Sequence, residues 1–166
     1  MLVILCGPPC TGKSTIGDEL QRRFGFTHLD VDTLRQRLLP NSGQKIEDRD
    51  IAYREMHRLA ESALRSGRSA IVDATYNRAV HRKAAALISN SAMLIQCRAP
   101  LETVLSRFRS RPPGHAALDL NEDLVRELWT NFAWSSDGIV ADTIDAAVAH
   151  VNASTADSLE QWIRMK

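Results

Sequence analysis

Cysteine is scarce in this chain. Only Cys6, Cys10 and Cys97 occur, with no C-x-x-C pair and no histidine at zinc-ligand spacing. A disulfide framework and a structural zinc site are therefore not expected, and the thiols read as reduced ones in a reducing compartment. Charge of one sign is also lacking: 21 basic side chains face 20 acidic ones, a formal net charge of +1. No global field draws the protein to nucleic acid or to an anionic membrane, so a polynucleotide would need a local patch. Aromatics make up 5% of residues, and Trp129, Trp134 and Trp162 fall in helical segments, which suits core or rim packing better than base stacking. No long apolar run is present. The first, Leu2 to Cys6, has no basic segment before it, so neither a signal peptide nor a membrane span is expected and the cytoplasm is the default compartment.

What is there is enough apolar sequence, 44% of 166 residues, for one core. A single domain over 1–166 is expected. Short β-like runs alternate with longer stretches whose apolar residues recur every three or four positions, the pattern of β-α units around a parallel sheet. Strands are expected at Leu2 to Cys6, Thr27 to Asp30, Ser69 to Asp73, Ala92 to Cys97 and, weakly, Ala147 to Val151. One helical stripe is Ile16, Leu20 and Phe24, closed by Gly25; another runs through Tyr53, Met56, Leu59, Ala60, Ala63 and Leu64. Further helices are expected over His81 to Ile88, Leu101 to Phe108, Leu124 to Phe132 and Leu159 to Ile163, the last with Ser154 and Asp157 at capping-box spacing. Pro40 to Gln44 and Pro112 to Asn121 read as turns.

The strongest motif follows the first strand directly. Gly7-Pro8-Pro9-Cys10-Thr11-Gly12-Lys13-Ser14 fits G-x-x-x-x-G-K-[ST], with Thr15 next in the helix that follows. Such a loop curls until its N–H groups face a nucleotide's phosphates, Lys13 adds a charge near the β/γ bridge, and the Ser14 hydroxyl suits Mg²⁺. ATP and Mg²⁺ are the cofactors this predicts. Cys10 lies inside the loop, with its side chain expected to point away from the nucleotide.

Functional loops of a right-handed β-α-β sheet gather at the carboxyl ends of the strands. After the second strand, Asp32 and Arg35 share a helical face, if the helix begins near Asp32. There a carboxylate can take a proton from an attacking hydroxyl while a guanidinium steadies the acceptor; the plainer alternative is a helix cap and a solvated charge. Asp30, last in the strand, is a second carboxylate but harder to aim. Asp73 ends the third strand, placed for a Mg²⁺-bound water, for an arginine, or as another cap. Arg78 and Arg82, four apart beside Lys83, suit an anionic acceptor or a solvated face. Arg107 and Arg111, again four apart, precede a Pro-Pro-Gly segment, which suggests a lid over about 107–120 that neutralises charge on the γ-phosphoryl. His28, His57, His115 and His150 lack partners at metal-ligand spacing and read as structural or surface residues. Asn152 to Ser154 is positioned to border the adenine.

Taken together, Gly7 to Thr15, Asp32-x-x-Arg35, Ile71 to Thr75 with Arg82, and Leu105 to Arg111 resemble the small P-loop kinases related to polynucleotide 5′-kinases. That group includes zeta-toxin-like and chloramphenicol-phosphotransferase-like enzymes. The resemblance covers Met1 to about Trp134. It implies an α/β P-loop kinase fold, a five-stranded parallel sheet between helices, with a small arginine-bearing lid. It also implies Lys13 and Ser14 on phosphates and Mg²⁺, Asp32 as general base, Arg35 on the acceptor, Asp73 at the acceptor or metal shell, and Arg111 with Arg107 on the donor phosphates. Gluconate-kinase-like and shikimate-kinase-like enzymes share the phosphate loop and a carboxylate after the second strand. The repair modules often fused to polynucleotide kinases do not fit in 166 residues, so a different acceptor is possible. The expected activity is transfer of the γ-phosphate of ATP to a hydroxyl, on a nucleic-acid 5′ end or on a small neutral acceptor such as an antibiotic, nucleoside or sugar. A regulatory ATPase or nucleotide-dependent switch is the alternative of another class. Nothing in the sequence sets the oligomeric state.

Overall fold

A computed structural model describes residues 1–40, 45–112, 120–136, 138–143 and 161. The elements follow in the order β1 (Leu2–Cys6), α1 (Lys13–Phe24), β2 (Thr27–Asp30), α2 (Val31–Leu38), α3 (Ile46–Arg65), β3 (Ala70–Asp73), α4 (Ala79–Ala86), β4 (Ala92–Arg98), α5 (Leu101–Arg109), α6 (Glu122–Thr130) and β5 (Ile139–Asp142). All pairings are parallel and the five strands lie in the order β2-β3-β1-β4-β5.

Every residue of β1 is buried, which explains why it reads as an unbroken apolar run rather than an alternating one. Side chains of a strand point to opposite faces in turn. Leu2, Ile4 and Cys6 accordingly join Ala52, Met56 and Ala60 of α3 in one core, while Val3 and Leu5 join Ile16 and Leu20 of α1 in the other. Helices thus cover both faces. A third cluster, Ala99, Val104, Leu105 and Val125, packs α5 on α6.

Four strands lie where the sequence puts them, within a residue. The described edge strand, Ile139–Asp142, was not expected, and the expected strand at Ala147 to Val151 lies outside the described residues. Four residues after a serine-rich turn give too short an apolar run to stand out. Their pairing with Ile95 to Arg98 of β4 is a long-range gift of the sheet. Helix α4 begins at Ala79, two residues before the expected start, and α6 spans Glu122–Thr130 because Asn121 caps it, its side-chain oxygen 2.8 Å from Leu124 N. The turn at 41–44, His115, His150, the loop 152–154, the Ser154/Asp157 box and Trp162 lie outside the described residues, as do 113–119 of the expected lid and all but Gln161 of the last helix. No helix among the described residues is long and apolar enough to cross a membrane.

Candidate active site

Between β1 and α1 the chain turns through backbone space that most residues avoid. Gly7 has φ +145°, and a Cβ there would stand 2.4 Å from the Cys97 carbonyl oxygen; Gly12, with φ +83°, is the N-cap of α1. Both positions require glycine. Thr11 is fully buried and its hydroxyl donates to Pro8 O at 2.8 Å, which closes the loop on itself. Lys13 Nζ donates to the same carbonyl at 2.9 Å. The first turn of α1 holds no acidic residue, so the positive end of the helix faces the loop undiminished, with Ser14 and Thr15 exposed beside it. Cys10, at φ +63°, packs against the α5–α6 cluster, and burial pushes its thiol up from the ordinary value, against a reactive thiolate.

Parallel register sets Asp73 beside Leu5 on one side and Asp30 on the other. Asp30 Oδ1 accepts from Thr33 N–H at 2.7 Å, so Asp30 is the cap of α2 and the helix starts at Val31, one residue before Asp32. Asp32 is therefore released from capping and sits half-buried on the wall of the cleft. Burial, and then the charge of Asp73, push the Asp30 carboxyl above its usual value. Arg35, one helical turn from Asp32, is 7% exposed, which sets aside the solvated-charge alternative.

Asp73 is the most enclosed acid of the site, at 0% exposure. Its Oδ2 lies 3.1 Å from His28 Nε2, while Oδ1 has no partner. An unmet buried oxygen of this kind costs about 1–3 kcal/mol, a cost that a bound cation or its water removes. The oxygen donors Asp73 and Ser14 suit a hard ion such as Mg²⁺, whereas no cluster of three or more His, Cys, Asp or Glu able to hold a metal occurs among the described residues.

The basic residues divide. Arg78 pairs with Asp50 at 2.7 Å on the cleft wall, whereas Arg82 Nη1 donates to Tyr76 O at 2.7 Å and Asn77 O at 3.0 Å, which spends it on the loop after β3. Arg107 reaches the carbonyls of Cys10 and Thr143, and Arg111 keeps a buried Nη1 without a partner in the same cleft. The loop after β3 is strained: Tyr76, not a glycine, has φ +54°. Three bonds hold it there, Tyr76 N–H to Tyr53 Oη at 3.1 Å, Tyr76 O from Arg82, and Tyr76 Oη with His57 Nε2 at 2.9 Å.

Sequence reasoning missed His28, Asp18, Tyr53 and Thr143. One signal was available, since alternation along His28-Leu29-Asp30 puts the histidine and the aspartate on one face of the sheet. His28 is held by two carboxylates, Asp18 at 3.0 Å on Nδ1 and Asp73 on Nε2. Burial draws its pKa down, but the two partners together outweigh burial and leave it raised.

The phosphate loop, Asp32, Arg35, Tyr53, Asp73, Asn77, Arg107 and Arg111 line one cleft of about 1120 Å³. The model of a family described as an AAA domain matches residues 2–133. The chain belongs to this family. A cytidylate kinase of Methylocella silvestris is 32% identical over 127 residues, 72% of this chain and 51% of that protein. The chain thus spans about half the length of this curated relative. A gluconokinase structure from Sinorhizobium meliloti superposes with a TM-score of 0.73 at 12% identity, over 98% of this chain and 94% of that one. An APS kinase of Mycobacterium tuberculosis, in complex with AMPPNP and APS, gives 0.69 at 19% identity, over 96% and 95%. The chain therefore shares the α/β fold of these kinase structures, with a five-stranded parallel sheet behind the phosphate loop.

Proposed function

We propose that this AAA-domain protein is an ATP- and Mg²⁺-dependent phosphotransferase acting on the hydroxyl of a small molecule. One observation carries the reading: a single cleft joins the phosphate loop to Asp32 and Arg35, so a terminal phosphoryl and an acceptor meet on one surface. Lys13 and the loop N–H groups would bind the β- and γ-phosphates, and Ser14 and Asp73 would hold Mg²⁺. When bound there, the metal supplies charge neutralisation to the transferring phosphoryl. Asp32 takes the proton of the acceptor hydroxyl as its oxygen forms the new bond to the γ-phosphorus. The bond to the bridging oxygen breaks and ADP leaves, with Arg111 balancing the charge that develops.

A small acceptor is favoured over a polynucleotide 5′ end by the fate of the arginines. A phosphate track would need Arg35, Arg78 and Arg82 to converge, yet Arg82 is spent on two backbone carbonyls and Arg78 on Asp50. The relatives named for cytidylate, gluconate and APS are consistent with this. The test is transfer of labelled γ-phosphate to a panel of nucleotides, nucleosides, sugars, antibiotics and 5′-hydroxyl oligonucleotides. Label is expected in a small molecule and lost in Asp32→Asn, which still binds ATP. Label only in oligonucleotides, with rates that fall steeply as salt rises, overturns the acceptor assignment. Hydrolysis that no acceptor speeds, or an unchanged Asp32→Asn, overturns the mechanism.

A further inference from the structure

His28 belongs to no motif, yet it is one of the most constrained side chains in the cleft. Its side chain is 8% exposed, and both ring nitrogens meet carboxylate oxygens. The ring lies flat on Gly17 of α1: a Cβ on that glycine would stand 2.3 Å from Nε2, 2.5 Å from Cε1 and 2.8 Å from Cδ2. Gly17 therefore admits the ring, Asp18 holds it from Nδ1, and Nε2 is left with one direction, toward Asp73.

The consequence falls on Asp73. A buried carboxylate turns about its last side-chain bond unless something fixes one oxygen, and its two oxygens are otherwise interchangeable. Here Oδ2 is fixed by His28 at 3.1 Å and Oδ1 is the oxygen left unmet. Resting on the reading that Asp73 helps hold Mg²⁺, we propose that His28 is a positioning residue that pins Oδ2 of Asp73 and presents Oδ1 to the metal or its water. Partners that orient a ligating group in this way typically govern metal affinity about 10–100-fold.

Two amides separate this role from mere packing. In His28→Gln the side-chain nitrogen reaches the place of Nε2 and keeps a donor for Asp73; in His28→Asn it reaches the place of Nδ1 and keeps a donor only for Asp18. The readout is binding of Mn²⁺, followed by electron paramagnetic resonance, to the protein saturated with AMPPNP. It is set beside metal-free AMPPNP affinity, thermal stability and the split between kcat and the KM for Mg²⁺. The Asn variant is expected to weaken Mn²⁺ binding about tenfold or more and to raise the KM for Mg²⁺, with metal-free affinity within about twofold; the Gln variant should stay near wild type. Equal Mn²⁺ affinity in the Asn variant and wild type, with Asp73→Asn weakened, overturns the role of His28 and leaves the metal reading standing. Unchanged Mn²⁺ affinity in Asp73→Asn overturns both. Should the Asn variant fail to fold, a Gln variant as weak as Asp73→Asn has the same force against the proposal.

Discussion

Arg107 Nη1 lies 3.1 Å from Thr143 Oγ1, and its second terminal nitrogen donates to Thr143 O, so α5 is tied to the residue that follows β5. The Thr143 hydroxyl in turn stands 2.8 Å from Thr11 O and 2.9 Å from Arg98 O. One buried threonine thus links the phosphate loop, the end of β4 and α5. Arg107, at 3.4 Å from Cys10 O, braces the loop from outside. Arg111, one turn on, is differently placed, with a buried Nη1 that has no partner. Two arginines that the sequence treats as a pair therefore stand in different surroundings.

Removing each should show the division. Arg107→Ala strips donors from two backbone carbonyls, each worth about 1–3 kcal/mol when left unmet, and should lower Tm by several degrees. Arg111→Ala should leave Tm within a degree or two and cut kcat by about 10²-fold or more, the usual effect of removing one donor aimed at developing charge. Differential scanning calorimetry and steady-state kinetics decide it. A pure KM effect in Arg111→Ala contradicts a role in the transition state.

Gly17 offers a sign reversal. Alanine in place of a helix-interior glycine ordinarily gains about 0.5–1 kcal/mol. Here the new Cβ would meet the His28 ring at 2.3 Å, so Gly17→Ala should instead destabilise, by about 1–3 kcal/mol as overpacking does. His28→Ala should relieve much of that loss in the double variant. Chemical denaturation of the four proteins gives the coupling, and simple additivity counts against the contact.

How much of this was legible beforehand follows the range of the interactions. The phosphate loop is local: seven residues of backbone geometry and one lysine, all adjacent in sequence, so Gly7 to Ser14 could be read as they stand. Asp32 and Arg35 were legible as a pair because a helical turn is also local, but whether Asp30 or Asp32 capped α2 turned on one hydrogen bond to Thr33 N. The bond between His28 and Asp73 joins residues 45 apart, and the bond between Thr143 and Thr11 joins residues 132 apart. No spacing rule reaches that far. Such contacts exist because β2 pairs with β3 and β5 with β4 in a sheet whose order is 2-3-1-4-5, something the linear pattern does not encode.

The strained loop after β3 invites a substitution that removes a single atom. Tyr53 Oη accepts the Tyr76 N–H at 3.1 Å, while the Tyr53 ring stacks on His81 with centroids 3.8 Å apart. Tyr53→Phe keeps the stack and leaves a buried N–H unmet in a residue at φ +54°. Stability should fall by about 1–3 kcal/mol. Asn77, next to Tyr76, lines the same cleft as Asp32, so if it meets the acceptor there, the acceptor KM should rise more than the KM for ATP. Equal changes in both constants argue that the loop does not serve the acceptor.

His57 should make the fold acid-sensitive. Burial first, and the charge of His81 second, push its pKa down from 6.5 to about 4. It faces Tyr53 and Glu61 on its own helix, Tyr76 after β3 and His81 on α4. Burial holds the Tyr76 phenol far above its ordinary value, so it stays protonated, with its Oη 2.9 Å from His57 Nε2. Between pH 6.5 and 4 the unfolded chain binds a proton at this residue that the folded chain refuses, so stability is whole above pH 6.5 and is lost as pH falls toward 4. His57→Gln keeps a hydrogen-bonding group of either kind beside the phenol and does not titrate. Its Tm should therefore vary less than that of the wild type across this window, with the two curves running parallel above pH 7. Curves parallel throughout would mean that His57 is no more reluctant to take a proton folded than unfolded.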